Sequence, residues 1–143
     1  VSVLGAERAA IADVVTQAYA EYGDGVYGDG TPGENPVTVH QYVPDRLVPP
    51  AAIITPADPY LERRADDPFG TLTAAWEIWL VRATGSNQNA TEGLDAEIEY
   101  QADALTKAGF TVERVSEPFM YAVQGANYLT TIIHVATGVT LTK

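Results

Sequence analysis

TLTAAWEIWLVRA (Thr71–Ala83) decides the fold. Leu72, Ala74, Trp76, Ile78 and Leu80 fall on one side of it, and Thr71, Thr73, Ala75, Glu77, Trp79 and Val81 on the other, the two-residue period of a β-strand. The first set is uniformly apolar and belongs in a core, with Trp76 inside it. The second set is mixed: Trp79 and Val81 are too apolar to face water alone beside Glu77, so this face is expected to meet another surface.

Working outward, VTVHQYV (Val37–Val43) alternates Val37, Val39, Gln41 and Val43 with Thr38, His40 and Tyr42 and predicts a strand ended by Pro44. Ala51–Thr55 is a short apolar run and predicts a buried strand, with Pro56 and Pro59 framing the turn after it. Tyr60–Gly70 mixes Tyr60, Leu61 and Phe69 with Glu62, Arg63, Arg64, Asp66 and Asp67, which predicts an exposed hairpin or arm. Downstream, Phe110–Val115, Phe119–Val123 and Tyr128–Val135 predict three further strands, broken at Pro118 and Gly125, with 137–143 extending or fraying the last.

Two helices complete the pattern. Residues 2–22 place Leu4, Ile11, Val14, Val15, Ala18 and Tyr22 along one stripe, with Ser2 as cap and Gly23 as stop. A second helix is predicted from Asn89, which stands three residues before Glu92 as in a capping box, with Leu94, Ile98, Ala102 and Leu105 inward. Gly109 suits its left-handed C-terminal position and Phe110 the residue that folds back on it. Glu92, Asp95, Glu97, Glu99 and Asp103 against Lys107 predict an acidic outer face. Between the first helix and the first strand, GDGVYGDGTPGENP (Gly23–Pro36) predicts a flexible, acidic, Gly-rich connector. The sum is a single α+β domain over residues 1–143, a mostly antiparallel sheet of four to five strands with two helices packed on one face.

Composition narrows the function. With 8 basic and 19 acidic residues in 143 the formal charge is −11, which disfavours general binding to nucleic acid or an anionic membrane. The absence of cysteine excludes disulfides and thiolate chemistry. No apolar run approaches the length that spans a bilayer, and no basic-then-apolar start is present, so a soluble chain without a signal peptide is expected.

Catalytic and metal patterns are weak. His40 and His134 lie 94 positions apart, outside any metal-ligating spacing, and read as structural or interface imidazoles. Asp66-Asp67 would face opposite ways in a strand and reads as an exposed acidic loop. The glycines of the connector lack the strand and the Lys-Ser/Thr of a phosphate loop, and its acids would repel phosphate. Arg46, Arg63, Arg64 and Arg82 are scattered and read as solvent-facing salt bridges or protein contacts. No catalytic, cofactor or metal residue is predicted.

The phrases VTVHQYVPDRLVPPAAIITPADPYLE (Val37–Glu62), FGTLTAAWEIWLV (Phe69–Val81), LDAEIEYQADAL (Leu94–Leu105) and FTVERVSEPFMYAVQGANYLTTIIHV (Phe110–Val135), in this order after a first helix, cover nearly the whole chain. In them the chain resembles the tail terminator family of long-tailed bacteriophages, especially those of actinobacteria. The resemblance implies a structural virion protein of the tail and neck, not an enzyme, assembled in the host cytoplasm. It implies a homohexameric ring on the last ring of major tail tube protein, which stops tube growth, receives a head-completion or connector protein, and lets DNA pass without specific binding. Combined with the strand pattern it makes Tyr60, Arg63, Arg64, Phe69, Glu77, Trp79, Val81, Tyr128, Thr130 and Ile132 candidate interface residues. Six copies would carry about 6 × (−11) = −66, and acid along the lumen would keep DNA from adhering. The connector is long for the family, and no residue marks the tube-facing surface. The alternatives are another neck or head–tail completion protein, and a small ligand-binding or hydrolytic module using Asp66, Asp67, Glu77 or a histidine.

Overall fold

A computed structural model describes residues 2–22, 37–82, 87–123 and 125–141. The element order is α1 (Val3–Tyr22), β1 (Thr38–His40), β2 (Ala51–Glu62), β3 (Thr71–Val81), α2 (Asn87–Lys107), β4 (Thr111–Val115), β5 (Phe119–Val123) and β6 (Ala126–Thr140). The strands form one sheet in the order β1-β2-β3-β6-β4, with β5 following β4 along the same edge of β6. Among the described residues only β1 and β2 run parallel, and every other pairing is antiparallel. The expected α+β class therefore holds, with six strands instead of four or five.

The Thr71–Val81 strand lies at the centre and pairs residue for residue with β6, from Thr71 against Thr140 to Val81 against Thr130. Its even positions Ala74, Trp76, Ile78 and Leu80 are buried, as the alternation requires, and meet Ile133, Val135 and Val139 of β6 under the two helices. Ile11, Val15 and Tyr19 of α1 and Leu94 and Leu105 of α2 close this core from above.

Helix ends follow local chemistry. Ser2 caps α1, its Oγ accepting from the Gly5 N–H at 2.9 Å. At the end of α2, Gly109 takes φ +97° while its N–H donates to Thr106 O and the Phe110 N–H donates to Leu105 O, the paired bonds of a Schellman motif, and Phe110 folds into the core. The start of α2 lies two residues before Asn89, so Asn89 is inside the helix and not its cap. The Gly23 stop and the 23–36 connector fall outside the described residues.

Three expectations for the sheet change. The first strand is only Thr38–His40: the chain then bends, leaving Tyr42 and Val43 exposed, because residues 41–50 must return to the start of β2 as the crossover of a parallel pair. Strand β2 does not stop at Pro56 but continues to Glu62, with an irregularity between Pro56 and Leu61 that absorbs both prolines. Consequently Tyr60–Glu62 belong to the sheet, and the excursion is the tip at residues 63–70. The mixed face of β3 is also partly covered from within: Leu47 of the crossover packs on Ala51, Ile53 and Val81, joined by Trp79, Tyr121 and Tyr128.

Candidate assembly surface

The helices seal one face of the sheet, and the candidate residues divide over the other face and the hairpin tip, except Tyr60, which packs on the helix side and is not available as an interface residue there. Tyr60 is half-buried, its ring edge-on to Trp76 at 5.0 Å and its hydroxyl accepting from Arg8 Nη2 at 3.4 Å. Val81 and Thr130 are buried within the chain and support the face from below. Tyr128 and Ile132 are half-exposed beside them.

Trp79 packs against Phe119 and Tyr121, at 5.9 and 5.3 Å between ring centres, because β5 turns back beside β6 and brings its aromatic side chains over the central strand. Its indole N–H donates to Glu77 Oε1 at 3.2 Å. Trp79 is thus the internal anchor of the β5–β6 hairpin as well as part of a surface. Opposite Glu77, His134 places Nδ1 3.9 Å from Glu77 Oε2. Burial, followed by repulsion from Arg114, holds the His134 pKa below its ordinary value, so at neutral pH the imidazole is uncharged and the contact is no ion pair.

At the hairpin end, Arg64 ties distant strands together. Its Nε donates to Glu62 at 2.9 Å and its two terminal nitrogens grip the Glu113 carboxylate at 2.5 and 3.2 Å. The hydrogen bonds from Arg64 hold the Glu113 carboxyl below the usual carboxylate range, and the two acids raise Arg64 further above its already high value. A cleft of about 350 Å³ adjoins this bridge, lined by Asp58, Arg64, Glu113, Arg114 and His134 among others. Asp67 is no free acid: it accepts from the Arg64 backbone N–H and from Thr73 Oγ1, each at 2.9 Å, and these bonds depress its pKa, while Asp66 is exposed. Among the described residues no group of three or more His, Cys, Asp or Glu is placed to hold a metal ion.

Next in the chain, the Thr71 N–H and hydroxyl both bond to Pro68 O, at 3.1 and 2.7 Å, and Gly70 adopts φ +90°. This turn needs a residue without Cβ at Gly70 and carries Phe69 at its apex, 95% exposed, with the Arg63 guanidinium 5.9 Å from the ring centre.

One polar cluster escapes the sequence reading. Arg82, at the end of β3, is buried and bonds through Nη1 to Glu97 Oε1, while Glu97 Oε2 accepts from the Tyr19 hydroxyl at 2.9 Å. Gln101 is fully buried and donates to Val15 O at 3.1 Å. Arg82 is therefore not a solvent-facing arginine, and Glu97 leaves the acidic outer face of α2. The signal was in the spacing: positions 97 and 101 lie on the stripe of Leu94, Ile98 and Leu105.

Comparison with protein-family models and with curated proteins finds no match for this chain.

Proposed function

We propose that the chain is a structural component of a long-tailed phage tail, a terminator that caps the tail tube and presents the joining surface for the head-completion complex. The observation that carries this reading is the resemblance of nearly the whole chain, in four consecutive phrases, to that family. The distribution of surfaces supports it. Two helices cover one side of the sheet; Arg63, Phe69, Glu77, Trp79, Tyr128 and Ile132 are at least partly exposed on the other side or the hairpin tip. Such a chain caps by shape: one surface fits the tube end, another the connector, and its arrival removes the site for the next tube ring. Its acidity fits a passage through which DNA slides without adhering.

Electron microscopy of particles produced without the chain tests the proposal. Overlong tails lacking heads are expected. Normal-length tails that fail to join heads would transfer the chain to another completion step of the neck, and normal particles would overturn both roles.

A further inference from the structure

The cleft beside the Arg64–Glu113 bridge exists because β2 is irregular. Between Pro56 and Leu61 its register with β3 shifts, so Ala57, Asp58 and Pro59 have no partner residue on β3, and these three line one side of the cleft of about 350 Å³. Arg114 of β4 and His134 of β6 line the side beyond β3, with Ala75 of β3 between. Such a volume falls in the lower part of the range for small-ligand sites.

The charges along it are unevenly matched. Arg64 and Glu113 satisfy each other. Asp58 and Arg114 are both exposed, and neither makes an ion pair or a side-chain hydrogen bond among the described residues, with one another or with any other group. Arg114 acts on Glu113 and His134 only through its field. Strands β2 and β4 are separated by β3 and β6, about 14 Å at the usual strand spacing, and the two side chains bridge part of that gap. An acid and a base on opposite walls, too far apart to pair, are complementary to a ligand that carries both charges at a matching distance.

We infer that the cleft binds a short peptide of about three small residues with free termini, its carboxylate on Arg114 and its ammonium on Asp58. Three observations select this class. One unpaired base matches one carboxylate, whereas a phosphate dianion would leave surplus negative charge beside Glu113 and Asp58. Ala57 and Asp58, outside the β3 register, offer backbone groups to the amides of the ligand. The small side chains of Ala57, Pro59 and Ala75 lie between the charged ends and suit a run of glycine or alanine. His134, uncharged at neutral pH, adds a polar imidazole beside Arg114 without a second positive charge. This site is independent of the tail role.

Triglycine titrated into the purified full chain, followed by calorimetry and amide chemical shifts, tests the site. Binding with a dissociation constant of about 1 mM or below is expected, with shifts centred on Ala57, Asp58, Ala75, Arg114 and His134. N-acetyl-triglycine, which lacks the ammonium, and triglycine amide, which lacks the carboxylate, should each bind at least about fivefold more weakly. Arg114→Gln should weaken triglycine about tenfold and leave triglycine amide unchanged, and Asp58→Asn should weaken triglycine about fivefold and leave the acetylated probe unchanged. Both side chains are exposed, so both variants should keep the wild-type urea midpoint. Absence of binding at about ten times that concentration, blocked probes that bind as well as triglycine, shifts confined to other parts of the chain, or variants that weaken every probe alike would each overturn the site.

Discussion

Glu97, 3% exposed, shares its carboxylate between Arg82 and the Tyr19 hydroxyl, joining the end of β3 to both helices. Burial dominates these partners and pushes its pKa up to about 7 from an ordinary 4.5. The folded chain therefore holds the Glu97 proton more tightly than the unfolded one. This group's contribution to stability is full below about pH 4.5 and is lost as pH rises through 7, a change of about 3 kcal/mol. His134 acts in the opposite sense, since its lowered pKa costs stability as pH falls. Urea midpoints of the wild type and Glu97→Gln, compared from pH 4.5 to 7, should therefore diverge, the variant lacking the component that declines with rising pH. Gly93 belongs to the same unit: a Cβ there would lie 2.6 Å from Arg82 Nη2 and 2.7 Å from Cζ. As the guanidinium is buried against Glu97 it cannot swing aside freely, and Gly93→Ala should cost about 2 kcal/mol or more in denaturant unfolding. These residues were hard to read because side-chain type argues for solvent; periodicity alone placed Glu97 and Gln101 inward, while nothing in the sequence around Arg82 named its partner.

Elements were legible in proportion to how local their causes are. The alternation of Thr71–Val81, the Ser2 cap and the Gly109–Phe110 stop are fixed by neighbouring residues, and all three appear as expected. Strand β2 was not, because prolines at 56 and 59 normally end a strand, and only its long antiparallel partner carries it through an irregularity to Glu62. Likewise, the mixed face of β3 depends on where the crossover and the β5–β6 hairpin fold back, which no periodicity reports. Trp79 follows from this: truncation should first loosen the hairpin it anchors. Trp79→Ala is expected to lose about 2–3 kcal/mol of stability, with amide protection falling most in Phe119–Val123. Equal loss of protection throughout the sheet would mean that the aromatic cluster belongs to the global core.

For the whole molecule, one face of the sheet is consumed by the helices and the other keeps exposed edges and a rigid aromatic tip, the distribution expected of a part in an assembly. The proposed function rests on resemblance and not on any constellation of chemical groups; among the described residues the conspicuous acids prove to be partnered, as at Glu97, Glu113 and Asp67, or exposed, as at Asp66. The net charge of −11 accords with a surface that DNA passes without binding. Arrest of tube growth is the central claim, and its most direct measurement is the length of tubes assembled from purified tail tube protein with increasing amounts of this chain. Shorter tubes, each with the chain at one end only, are the predicted result. Lengths independent of the chain, or the chain distributed along the tube wall, would contradict it.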